Sequence, residues 1–169
     1  MKSFLITLIL ATGLFSAQLA TAQKFGHINS ALIIEKHPDV DSANIHLESF
    51  RKSLSDPFEV KARAFQSKYQ FYLEEMQAGT LSKVSAQSRQ EALQKEQEEL
   101  KTEEQQIQFA IMQKREQLLQ PMLAEVDSVI QAVGKEGKYT LIFDSSVAGA
   151  LLYAIESEDL TALIQSRIK

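Results

Sequence analysis

The chain has no cysteine in its 169 residues, so no disulfide can staple it and no lipid can be attached through a cysteine. It also lacks an excess of positive charge. The formal net charge is −4, and an acidic chain without a basic patch is poorly matched to a phosphate backbone. Nucleic acid is therefore not an expected partner. Beyond residue 15 no apolar run is long enough to span about 30 Å of hydrocarbon, so stable membrane insertion is not expected. The polar faces of the helical stretches are not cationic enough to favour a membrane surface either.

Catalytic signatures are missing as well. No G-x-S-x-G elbow surrounds Asp144-Ser145-Ser146, and nothing near Gly134 and Gly137 supplies G-x-x-x-x-G-K. His27, His37 and His46 share no metal-ligand spacing. The Asp-Ser-Ser run is expected to be a capped turn, and the histidines structural. Glu98-Glu99 and Glu103-Glu104 are expected on a solvated helix face, where desolvation is slight. The expectation is a protein with no catalytic residue, no metal and no cofactor.

What is present begins with an export signal over residues 1–22. Lys2 gives the positive start, residues 4–15 the apolar run, and Ala20-Thr21-Ala22 the small-residue cleavage site, leaving Gln23 first. That predicts a soluble, exported product of 147 residues with a charge of −5. The next feature dominates the chain. Ala43, Leu47, Phe50, Leu54, Phe58, Ala62, Phe65, Tyr69, Tyr72 and Met76 form an apolar stripe with a mean step of about 3.67 residues, a helical period. A break at Ala78-Gly79-Thr80 follows, where Gly79 suits a left-handed C-cap. A polar helix rich in Glu, Gln and Lys then returns from about Ser82, with Leu93, Leu100 and Ile107 at seven-residue intervals. This is an antiparallel helical hairpin over residues 39–120, each arm reaching about 55 Å. Pro57 sits inside the outgoing stripe, where a kink or a helix restart is expected.

The two chain ends supply a small body, residues 23–38 and 121–169. Residues 24–29 (KFGHIN) predict a strand, and Asn29 or Ser30 caps a short helix that stops before Pro38. Gly134 and Gly137 are expected to end the return helix. Strands are then expected at 139–143 and 151–155, and a last helix capped by Thr161 or Asp159. The fold class is α+β: a small β-sheet body built from both chain ends, with the long hairpin inserted between them.

The blocks KFGHINSALIIEKHP and YTLIFDSSVAGALLYAIESEDLTALI, joined by a long charged hairpin behind a signal segment, resemble the Skp/OmpH family of periplasmic chaperones. The resemblance covers residues 24–169, and its C-terminal block is the most specific part. It implies a homotrimer with a central β-body and three helical arms, which holds unfolded outer-membrane proteins between the arms without nucleotide. The acidic balance departs from the basic character of well-studied members, so no lipopolysaccharide-binding residues carry over.

Most of the stripe is expected to seal the two helices of one arm together. Apolar residues off the seam are the candidates for client contact: Val60, Phe71, Phe109 and Met112. Each contact would be weak, and summation over arms would give retention. For the body, Phe25, Ile28, Leu141, Phe143, Leu151 and Tyr153 are the candidate sheet and subunit-contact residues, because a body of about 65 residues is marginal alone. The alternative reading is a periplasmic coiled-coil adaptor whose arm docks one folded partner.

Overall fold

The computed structural model describes residues 23–169; the expected signal segment lies outside the described residues. The element order is β1 (Phe25–Ile28), α1 (Ser30–Glu35), α2 (Val40–Gln77), α3 (Lys83–Glu136), β2 (Leu141–Asp144), a 3-10 turn at Glu156–Glu158 and α4 (Thr161–Gln165). No helix among the described residues is long and apolar enough to cross a membrane. Two compact units emerge, residues 36–125 and residues 23–35 with 126–169.

The smaller unit is organised by β1 and β2, which pair in parallel with Phe25 beside Leu141 and His27 beside Phe143. Parallel neighbours need a crossover, and the whole helical hairpin belongs to it. Because side chains alternate across a strand, Gly26 and Ile28 turn to the core. Phe25, Leu141 and Phe143 stay on the other face, exposed, with the rings of Phe25 and Phe143 6.5 Å apart. The core is Ile28, Ile33, Val126, Val133, Leu160 and Ile164, with Tyr139, Ile142 and Ile168 packed around it. Gly26 gives the close approach here: a Cβ would stand 2.7 Å from Leu160 Cδ1, so the leucine would have to shift.

A polar clasp joins the two chain ends. Asp144 at the end of β2 accepts from the Ser30 hydroxyl (2.5 Å) and amide (3.2 Å), and from the Ser146 amide (2.9 Å). It thereby caps α1 from 114 residues away, beside the local cap that Asn29 Oδ1 gives Leu32 N. Ser145 donates to the Ile28 carbonyl, and Thr161 Oγ1 accepts from Asn29 N at 2.9 Å. Burial raises the Asp144 pKa, but the bonds from Ser30 and Ser146 outweigh it and leave the carboxyl below the usual value.

Two expectations fail here, and a third is narrowed. Residues 151–155 form no strand, so Leu151 and Tyr153 are not sheet residues within this chain. The other edge of β1 is taken by the bridge from His27 to Asp159 and the Leu160 N–H to His27 carbonyl bond, and residues 151–155 make no ladder with the outer edge of β2. Leu152 and Tyr153 are consequently 92% and 82% exposed. Gly134 does not end α3, which runs to Glu136; the left-handed residue is Lys138 (φ 54°). Gly137 stands directly after the helix end, as expected, and also serves closeness, since a Cβ there would lie 2.4 Å from the Tyr139 ring. Of the two outcomes expected at Pro57, a kink or a restart, the restart is absent: α2 runs through Pro57 as one helix. Pro57 and Ser53 are both exposed, so water can satisfy the Ser53 carbonyl that loses its helical donor.

The larger unit is the hairpin. Lys61 pairs with Glu103 at 2.7 Å, Lys68 with Glu96 at 2.8 Å, and Arg89 with Glu75. The numbers of each pair add to 164, as do those of Phe50 and Lys114, whose ammonium lies over the ring. A constant sum means two antiparallel helices in one unslipped register. Gly79 takes the left-handed conformation in the connection (φ 66°). The seam is not dry. No residue of α2 is fully buried, and Tyr69 and Met76 of the stripe remain exposed.

Candidate functional site

The seam of α3 steps through Leu93, Glu96, Leu100, Glu103, Ile107 and Ala110, alternating three and four residues. Every second step is thus a carboxylate or a small residue. Glu96 and Glu103 are only partly exposed and reach lysines on the facing helix. This corrects the expectation that Glu103 sits on a purely solvated face. A d-position glutamate survives because its charge is met by a charge-assisted hydrogen bond while water still reaches it. The signal was present in the three-four spacing after Leu93 and Leu100.

Val60, Phe71, Phe109 and Met112 are 61%, 56%, 55% and 59% exposed. Val60 and Phe71 are about three turns apart and share a face of α2; Phe109 and Met112 lie one turn apart on α3. Five clefts along the hairpin are each lined by at most one of the four. Phe71 alone lines a cleft of about 420 Å³, with Tyr72, Ala92 and Leu93 as its apolar wall and Lys68, Arg89 and Glu96 at its edge.

Of the body residues, Ile28 is buried in the core, while Phe25, Leu141 and Phe143 form the exposed sheet face. Leu151 and Tyr153 follow that face in sequence, off the sheet. Unpaired strand edges and exposed apolar faces of this kind invite pairing with another chain.

The histidines differ in their settings. His37 is buried, accepts from Asp39 N–H at Nδ1 (3.1 Å), and has Nε2 3.5 Å from Glu125. Both ring nitrogens of His27 are buried without a hydrogen-bond partner among the described residues. Among the described residues no group of three His, Cys, Asp or Glu side chains could hold a metal. Asp144-Ser145-Ser146 is the clasp described above, with Ser30 and Ser146 hydroxyls 2.9 Å apart.

The family described as outer membrane protein (OmpH-like) matches residues 24–168, nearly all of the described chain. This chain belongs to the OmpH-like family. The fold agrees. A crystal structure of an OmpH-like outer membrane chaperone from Caulobacter crescentus CB15 superposes with a TM-score of 0.65. It is 13% identical in sequence, and the alignment covers 88% of this chain and 85% of that one. No curated protein sequence matches. At that identity the likeness carries the fold alone, while the family match carries the membership.

Proposed function

We propose that this OmpH-like chain is a periplasmic holdase, which keeps unfolded outer-membrane proteins from aggregating without using nucleotide. Family membership supports a chaperone role. The observation that carries the holdase reading is the set of exposed apolar side chains spread along both helices of the arm, Val60, Phe71, Phe109 and Met112. Spread contacts of this kind are individually weak and indifferent to sequence, and Met112 adapts its shape to what it touches. Many of them acting together retain a client while no single one selects it. Binding the unfolded state then draws it away from aggregation by mass action.

The working unit in this reading is a homotrimer, exported by a cleaved signal segment, with clients held between the arms of three copies. Its contacts are Phe25, Leu141, Phe143, Leu151 and Tyr153, with Ile28 beneath them; an apolar face this extensive on so small a unit is stabilised by a second copy. Changing Phe71 and Phe109 together to Ser tests the client surface. The variant should suppress aggregation of a denatured β-barrel protein several-fold less well, with helicity and assembly mass unchanged. A loss of helicity instead would assign the two rings to the helix seam.

A further inference from the structure

On one flank of the seam lies a cleft of about 320 Å³ lined by Phe65, Tyr69 and Tyr72 of α2 and by Gln90, Leu93, Gln94 and Gln97 of α3. None of these seven side chains is charged, although the same stretch of both helices carries Arg63, Lys68, Glu91, Lys95 and Glu96. The three glutamines are spaced i, i+4, i+7, so their carboxamides form a row along one side of α3. Gln70 and Gln87 are tied to glutamates one turn on in their own helices, at 3.3 and 3.0 Å. Gln90, Gln94 and Gln97 have no such partner among the described residues.

A carboxamide offers donors and an acceptor together, which is the hydrogen-bonding set of a peptide group. A row of them beside three rings matches an extended main chain with an apolar side chain turned inward. A charged occupant is disfavoured, because the lining offers no counter-charge to a side chain stripped of water. The volume sits at the small end of the range for ligand pockets, enough for one side chain and its flanking peptide groups. We infer that this cleft is a binding site for an extended, uncharged stretch of unfolded polypeptide: Gln90, Gln94 and Gln97 pair with its main chain, and Phe65, Tyr69 and Tyr72 take its apolar side chain. The inference rests on the holdase reading and adds a site separate from Val60, Phe71, Phe109 and Met112, none of which lines this cleft.

The test replaces the three glutamines by Met, which matches Gln in length and helix preference but forms no such bonds. The probe is a short end-blocked peptide alternating Trp and Val with Ser and Thr. The protein has no tryptophan, so all tryptophan emission comes from the peptide. The Met variant should bind about tenfold more weakly at unchanged helicity, as expected for lost hydrogen bonds. Wild type should likewise bind a backbone N-methylated copy of the peptide more weakly, a comparison that needs no mutation. Binding by the Met variant that is equal or tighter assigns the cleft to apolar contact alone and overturns the inference, as does equal binding of the two peptides. Capture of a denatured β-barrel protein by wild type runs alongside. If capture persists while the peptide results fail, the cleft is wrong and the holdase stands; if capture fails too, both fall.

Discussion

The two units of this chain are held together by different means. The smaller one has a dry core in which Ile33 and Ile164 show no exposed surface, and a clasp that ties β2 to the start of α1. The hairpin has a helix of 38 residues with none fully buried, and a seam in which cross-helix ion pairs alternate with half-buried rings. Apolar burial without water fixes one packing; a wet seam of paired charges fixes register while leaving the surface adaptable. The lesson is a division of labour: permanence where both chain ends meet, adaptability where a client would be touched.

The largest effect should come from cutting into the dry core. Ile33→Ala or Ile164→Ala should lower stability by about 2–5 kcal/mol, because both sites are fully enclosed. Leu54→Ala, in the half-buried seam, should cost about 1–2 kcal/mol, since less apolar surface is lost. Denaturant unfolding of the three variants checks this, and equal losses would erase the contrast between the units.

Acid should act next, and on the smaller unit. Asp144 lies below the usual carboxyl value for the reasons given above. Asp159 does too: burial raises it, and hydrogen bonding by Thr161, aided by nearby His27, lowers it further. A depressed folded-state pKa contributes stability that is complete above the unfolded value of about 3.9 and is lost as pH falls through the folded one. Thermal scans should show Tm falling below about pH 4. Asp144→Asn should lower Tm at neutral pH and flatten part of that acid slope; an unchanged slope would remove the clasp from the account.

The smallest effect should be that of one seam ion pair. A double-mutant cycle on Lys68 and Glu96 should give about 0.2–1 kcal/mol, shrinking as salt is added, because both groups remain in contact with water. A value several times larger, or one indifferent to salt, would mean the seam is drier than its exposure indicates.

Much of this was legible in the residues. The stripe from Ala43 to Met76 has only one helical period, and Gly79 sits where the turn needs a left-handed residue. The exposure of Val60 and Phe71 followed from their angle to that stripe, and that of Phe109 and Met112 from their position off the Leu100 and Ile107 seam of the return helix; their contact with a client remains a proposal. Other features depended on partners that composition does not reveal. Glu103 read as solvent-facing because the lysine that meets it lies 42 residues away. Residues 151–155 have strand composition, yet composition alone makes no strand, and within this chain they pair with neither edge of the sheet. Pro57 was tolerated because the bond it removes faces water. Asp144 looked like part of a local turn, and its principal work is on a helix at the other end of the chain.

The most direct test of the holdase reading is its breadth. Several unrelated outer-membrane β-barrel proteins, each diluted from denaturant without nucleotide, should all stay soluble with the wild-type protein, and each should scatter light sooner with the Phe71→Ser, Phe109→Ser variant. Protection of one protein alone, or of none while a single folded partner is captured, would contradict the account and point to an adaptor arm.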